Sequence, residues 1–209
     1  MIITGITEVT KARSKVELDG EFAFVLYKGE LRSYKIKIDS ELKAEDYEEI
    51  MKKVLPKRAK LRSMNLLKTK DYTEEQLRRK LKDGLYPANV IEDAIEYVKG
   101  YHYIDDERYT RQYLEYFHVS KSKKKMMMDL LTKGVSKDLI IAVMEELEEE
   151  KKIGSEDTLI RRLLEKRHYN PDTMDYKEKR KMMTYLVGKG FAIEQIRRVM
   201  GESFEEYLT

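Results

Sequence analysis

The chain has no cysteine among its 209 residues. That removes disulfide frameworks, thiolate nucleophiles and zinc–cysteine sites, and makes a reducing cytoplasm the simplest compartment. Proline and glycine are scarce, at three and ten residues, as suits a helix-rich protein with long solvated faces. No stretch approaches the roughly 18 apolar residues of a membrane span. The opening residues, "MIITGITEVTKARSK", lack the basic-then-apolar layout of a signal peptide. A cytoplasmic protein with no membrane partner is therefore expected. Catalytic signatures are also missing. There is no glycine-rich phosphate loop and no Gly-x-Ser-x-Gly elbow, and His102, His118 and His168 show no His-Glu-x-x-His spacing. Net charge is only +3, so bulk charge does not announce a nucleic-acid binder, and electrostatic arguments rest on local patches.

What is present is charge and periodicity. Charged residues make up 39% of the chain. The first segment alternates: Val16 and Leu18 precede Asp19-Gly20, and Phe22, Phe24 and Leu26 come after it. Period-2 spacing around Asp-Gly predicts a β-hairpin, and "SYKIKI" (33–38) reads as a further strand. From about Ala44 the spacing becomes helical, with Tyr47, Ile50, Met51 and Val54 on one face. Pro56 then reads as a boundary. This N-terminal segment is too small for a large core of its own and is expected to pack on the helices after it.

After Pro56 the chain repeats itself. A shift of 49 residues carries Leu77 onto Met126, Leu81 onto Leu130, Ile91 onto Ile140 and Val98 onto Leu147. A shift of 56 carries Met126 onto Met182, Leu130 onto Leu186, Gly134 onto Gly190 and Ile140 onto Ile196. The first helix of the third copy, "SEDTLIRRLLEKR", keeps the 49 spacing, so the extra residues fall in "HYNPDTMDY", a loop. Each copy reads as three short helices, about 57–69, 74–83 and 88–99 in the first. Thr73 to Gln76 fits a capping box, and Gly134 and Gly190 fall where a middle helix must end. The expected organisation is a small β-hairpin-containing segment with a helix (1–55), then three-helix repeats at 56–104, 105–153 and 154–209.

"YIDDERYT" joins two repeats. Asp105 suits a cap, and Asp106 and Glu107 a first turn, where the helix dipole favours carboxylates. Ser155-Glu156-Asp157 holds the same place one repeat later. A metal-dependent nuclease built on Asp105, Asp106 and Glu107 is the competing reading, and a catalytic pair has no need to recur as a cap.

Several cations are not needed by the helices. Lys123-Lys124-Lys125 opens the middle helix of the second copy, after Lys121, and aligns with Lys179-Arg180-Lys181 in the third; the first copy has Glu74-Glu75-Gln76 there. Cations at a helix N-terminus cost a few tenths to about 1 kcal/mol each. An anionic partner would explain the shared cost; solvated positions outside the helix are the alternative, and both stay open. The first copy carries Arg78-Arg79-Lys80 and Lys82, and the third adds Arg161-Arg162 and Lys166-Arg167. Tyr109, Tyr113 and Tyr116 form a stripe that fits a core face better than a stacking platform. Met126 to Met128 and Met182-Met183 read as core filling. The run Glu145 to Glu150 reads as a solvated helix end.

"KDYTEEQLRRKL" (70–81), "YIDDERYTRQYL" (103–114) and "LLTKGVSKDLIIAVMEEL" (130–147), in this order and spacing, resemble the RecX family, and "LDGEFAF" (18–24) resembles a β-rich segment found on some members. Lys121-Ser122-Lys123 stands where many members have a glycine, and Asp129-Leu130 where Glu-Leu is common. The resemblance implies a mainly α protein, three tandem three-helix repeats in an elongated curved array behind a small β-rich N-terminal segment. It implies a non-enzymatic modulator of RecA recombinase in DNA repair, recombination and the SOS response. Such proteins lodge in the groove of the RecA filament on single-stranded DNA and damp ATP hydrolysis, strand exchange and co-protease activity. No cofactor or metal is expected, and the chain is expected to act as a monomer, with direct DNA contact an open point. On this reading Lys121, Lys123, Lys124, Lys125, Lys179, Arg180, Lys181, Arg78, Arg79, Lys80, Arg161 and Arg162 are the candidate partner-binding residues. The second reading is a DNA-binding protein whose three-helix units act as helix-turn-helix readers. Charge argues against it: residues 56–104 hold 11 Lys/Arg against 7 Asp/Glu, but 105–153 hold 10 against 11.

Overall fold

The computed structural model describes residues 1–201, so residues 202–209 of the expected third repeat lie outside it. The chain is mainly helical with one small sheet, and divides into two compact units, Met1–Asp105 and Asp106–Thr209.

The first unit opens with a three-stranded antiparallel meander: β1 (Ile3–Thr10), β2 (Arg13–Leu18) and β3 (Glu21–Tyr27). The β2–β3 hairpin turns on Asp19 and Gly20, both left-handed at φ 50° and 89°, as a tight turn matching strand twist requires. Val16, Leu18, Phe24 and Leu26 are buried. Strand β1 carries no signal in the sequence, because its residues past Ile3 are mostly exposed and polar and leave no alternation to read.

"SYKIKI" is not a strand. Helix α1 (Lys28–Ser33) ends there, Lys35 is left-handed at φ 52°, and the amide of Ile36 closes back on the carbonyl of Leu31. Ile36 is buried while Ile38 is 54% exposed, so the apparent period-2 pattern does not correspond to one buried face.

Pro56 is not a boundary either. Helix α2 (Ala44–Glu49) runs through a π turn (Ile50–Val54) into α3 (Leu55–Leu67) with helical dihedrals at each join. The amide of Leu55 reaches Ile50, five residues back. A proline has no amide to give and crowds the carbonyl four residues earlier. Loosening one turn into π register accommodates it inside a continuous helix.

Helices α4 (Glu74–Asp83) and α5 (Ala88–Gly100) complete the unit. Thr73 and Gln76 close the expected capping box at α4. Ile3, Val16, Phe24, Leu55, Leu77, Val90 and Val98 share one hydrophobic cluster; the sheet therefore packs on the first three-helix repeat.

The second unit holds α6 (Asp106–Phe117), α7 (Lys123–Thr132), α8 (Lys137–Glu149), α9 (Glu156–Glu165), α10 (Tyr176–Gly188) and α11 (Ile193–Met200). It has two clusters, one running from Leu114 to Ile153 and one from Ile160 to Met200. The middle helices end on left-handed glycines, Gly134 (φ 89°) and Gly190 (φ 92°), and the next amide reaches back to Leu130 and to Leu186. This is the Schellman closure. In the first repeat Gly84 sits one place early at φ −76°, and Leu85 takes the left-handed position at φ 62°.

Candidate functional site

The candidate cations separate into those held by neighbouring acids and those that are not. In the first repeat, Arg78 contacts Glu74 (3.0 Å), Glu75 (3.2 Å) and Glu92 (2.8 Å), and Arg79 contacts Glu75 (3.0 Å). The hydrogen bond to Glu92 leads the set that holds the guanidinium of Arg78 far above its usual range. Arg78 therefore ties α4 to itself and to α5, and Arg79 ties α4 to itself. Lys80 is exposed and makes no ion pair among the described residues. It lines a cleft with Arg13, Arg58, Arg62 and Tyr86. Arg58 is bound to Glu30, to the carbonyl of Val25 at 2.9 Å, and over the ring of Tyr27.

The second repeat uses its lysines internally. Nζ of Lys121 lies 2.8 Å from Asp129, 2.9 Å from the hydroxyl of Tyr113 and 3.9 Å over the ring of Phe117. Burial pushes the carboxyl of Asp129 up, but hydrogen bonds from Lys121, Tyr113 and Lys125 outweigh it and hold it at about 2. Lys125 lies 3.3 Å from Asp129, and Lys123 lies 2.6 Å from Glu148. Only Lys124 of this group is exposed with no ion pair among the described residues.

The N-terminus of α7 is also neutralised. Ser122 caps the amide of Lys125, and a carboxylate oxygen of Glu156 accepts the amide of Lys123 at 2.7 Å. An acid from the next repeat therefore offsets the cations. The expected matching cost in the third repeat is absent. Helix α10 starts at Tyr176, capped by Asp175 with Glu178 closing the box. Lys179, Arg180 and Lys181 thus sit one turn in, where the dipole effect has faded. Sliding the repeats aligned residue types, not helix starts.

Arg180 and Lys181 are exposed and Lys179 partly so, and none makes an ion pair among the described residues. Arg161 is exposed near Asp157, whose carboxyl Gln195, Arg198 and Arg161 lower. Arg162 lines a cleft of about 550 Å³ with Lys166, Arg167, Tyr185 and Lys189. Sequence reasoning missed this convergence of α9 with the end of α10; Lys166 and Arg167 were the visible signal, but nothing in the linear order brought Lys189 to them.

The acids of "YIDDERYT" take up helix-start positions: α6 begins at Asp106, with Asp106 and Glu107 in its first turn. Ser155 caps α9 through the amide of Thr158. No cluster of three or more metal-ligating side chains occurs among the described residues, and no helix among them is long and apolar enough to cross a membrane. The acidic run is not simply solvated: Glu146 pairs with Arg111, Glu148 with Lys123, and Glu150 with Lys152 at 2.8 Å. The tyrosine stripe divides. Tyr109 and Tyr113 pack against the core, while Tyr116 is 73% exposed. Met126 and Met182 are buried and Met128 is 54% exposed.

Comparison with known proteins places these features in a family. Residues 155–200 match the description "RecX, third three-helix domain", and residues 59–97 match "RecX, first three-helix domain". "Regulatory protein RecX" of Caldanaerobacter subterraneus subsp. tengcongensis is 31% identical over 96% of this chain and 98% of its own. The protein of the same name from Clostridium beijerinckii is 27% identical over 97% and 96%. Among solved structures, a "regulatory protein RecX" covers 96% of this chain and 99% of its own at TM-score 0.58 and 22% identity. RecX from Lactobacillus salivarius covers 71% and 96%, at TM-score 0.54 and 17% identity.

Proposed function

The chain belongs to the RecX family of regulatory proteins, and from that premise we propose that it modulates RecA without catalysis of its own. It binds the RecA filament on single-stranded DNA and damps ATP hydrolysis, strand exchange and co-protease activity. The observation that carries this reading is the near full-length similarity to regulatory proteins named RecX. The division of labour among the cations supports it. Arg78, Arg79, Lys121, Lys123 and Lys125 are engaged in ion pairs and serve folding. Lys80, Lys124, Lys179, Arg180, Lys181, Arg161 and Arg162 are the members of the candidate set that face a partner. The repeats 56–104, 105–153 and 154–209 act as successive docking modules, and the protein works in the cytoplasm as a monomer.

Relative affinity tests this against a helix-turn-helix DNA reader. The chain should bind RecA-coated single-stranded DNA much more tightly than bare single- or double-stranded DNA at moderate salt. Equal affinity for coated and bare DNA would favour the DNA reader. Arg180→Gln with Lys181→Gln should leave melting unchanged and weaken filament binding.

A further inference from the structure

The cleft between α9 and the end of α10 differs in kind from its counterpart one repeat earlier. Arg162 and Lys166 correspond to Tyr113 and Phe117 of α6 by the 49-residue shift, and Tyr185 and Lys189 to Asp129 and Lys133 of α7 by the 56-residue shift. In the second repeat this place is closed by the chain itself: Lys121 lies against Asp129, Tyr113 and Phe117. In the third repeat the acid has become Tyr185, and two aromatic positions have become cations. Arg162, Lys166, Arg167 and Lys189 line about 550 Å³ together. None of the four makes an ion pair with a carboxylate among the described residues. The guanidinium of Arg167 lies 3.7 Å over the ring of Tyr185, with Lys189 on the same ring at 5.5 Å; the ring fixes these charges without neutralising them.

Helix dipoles favour Lys166, Arg167 and Lys189 one by one, since each lies at or beyond a helix C-terminus. They favour Arg162 as well, which lies in the last turn of α9, but they do not explain why all four converge on one cleft. Elsewhere in the same unit a comparable lysine is matched by Asp129.

We propose that this cleft is a phosphodiester-binding site, through which the third repeat contacts a nucleic-acid strand directly. Side-chain carboxylates on a folded partner are dispersed, and several rarely enter one small cleft. A nucleic-acid strand carries a charge about every 3.4 Å along its axis and can offer several to four clustered cations. Leu163 and Tyr185 give the cleft an apolar floor against which sugars and bases lie. The proposal rests on the filament reading only for where that strand is found.

The test is binding of the full chain to a fluorescent oligothymidine across a salt series, with polyglutamate as the protein-like polyanion. Wild type should bind the oligonucleotide more tightly than polyglutamate. The variant Arg162→Gln/Lys166→Gln/Lys189→Gln, which leaves the Arg167–Tyr185 stack, should bind at least about tenfold more weakly at low salt. Its log–log salt slope should be shallower by about 2, at roughly 0.7 for each lost contact to a single strand. Lys53→Gln/Lys57→Gln/Lys137→Gln removes the same charge from exposed positions outside the cleft and should change the slope by less than half as much. Lys166→Gln alone, at an exposed position, should lower the slope by about 0.7 even if the triple variant folds poorly. Equal losses from the two triple variants, an unchanged slope in both cleft variants, or polyglutamate bound as tightly as oligothymidine would overturn the proposal. RecA-dependent ATP hydrolysis separates the two readings. Inhibition retained while cleft variants bind oligothymidine normally refutes the cleft alone; cleft-dependent binding by a chain that never inhibits RecA refutes the regulatory reading alone.

Discussion

At the scale of single residues, Lys121 and Asp129 show what a run of cations in a sequence cannot. The stretch from Lys121 to Lys125 was legible as unusual, but its partners Asp129, Glu148 and Glu156 lie up to a repeat away, and only folding brings them together. The pairing predicts an acid-dependent stability. The carboxyl of Asp129 is held at about 2, below its unfolded value of about 3.9. Its contribution is therefore full above about pH 4 and lost as pH falls toward 2. Asp129→Asn should destabilise the chain by about 1–2 kcal/mol near neutrality, a figure discounted for partial exposure. In denaturant titrations the gap from wild type should narrow between pH 4 and the lowest pH at which the chain still folds. A constant gap would place the stabilisation elsewhere. Leu85 gives the opposite case. It is 37% exposed and left-handed, a conformation costing a non-glycine residue about 1–2 kcal/mol. Leu85→Gly should raise stability by about 0.5–1 kcal/mol after its greater unfolded-state entropy; a lower melting temperature would show that the side chain's packing outweighs the strain.

At the scale of elements, period and capping were readable and irregular backbone was not. The α4 capping box and the two glycine closures arise from residue types at fixed offsets, so local chemistry announced them. The π turn before Pro56, the end of α1 at "SYKIKI" and strand β1 depend on packing against the sheet and on one displaced hydrogen bond, neither of which leaves a periodic signal. The cleft in the third repeat was half legible, since its α9 cations stand together in sequence and Lys189 does not. The joint between α7 and α10 predicts a sharp glycine effect. Ser122 donates its amide to the carbonyl of Lys189 at 3.0 Å, and a Cβ on Gly190 would meet Ser122 Oγ at 2.5 Å and Lys125 Cβ at 2.6 Å. Gly190→Ala should cost about 1–3 kcal/mol through strain and this close approach. Gly29→Ala, with open space around it, should be neutral or slightly stabilising. Thermal melting of the two variants side by side decides it, and equal melting would mean the joint yields.

At the scale of the whole molecule, the threefold repeat organises the fold and, on the proposed reading, the function. Equivalent hydrophobic positions recur because each three-helix unit needs the same apolar face, which is why shifts of 49 and 56 residues were visible at all. Charges are free to differ between copies, and they do: the first repeat uses Arg78 and Arg79 on α4 and α5, the second pairs Lys121, Lys123 and Lys125 with its own acids, and the third leaves a basic cleft open. Division of roles among like modules suits a partner that is itself a repeating filament. The most direct test of this account is RecA-catalysed ATP hydrolysis on single-stranded DNA, monitored as the folded chain is titrated in. The account predicts a progressive fall in rate that saturates at a fixed ratio of chain to filament, with no hydrolysis by the chain alone. An unchanged rate at excess chain, under conditions where RecA fully coats the DNA, would contradict it.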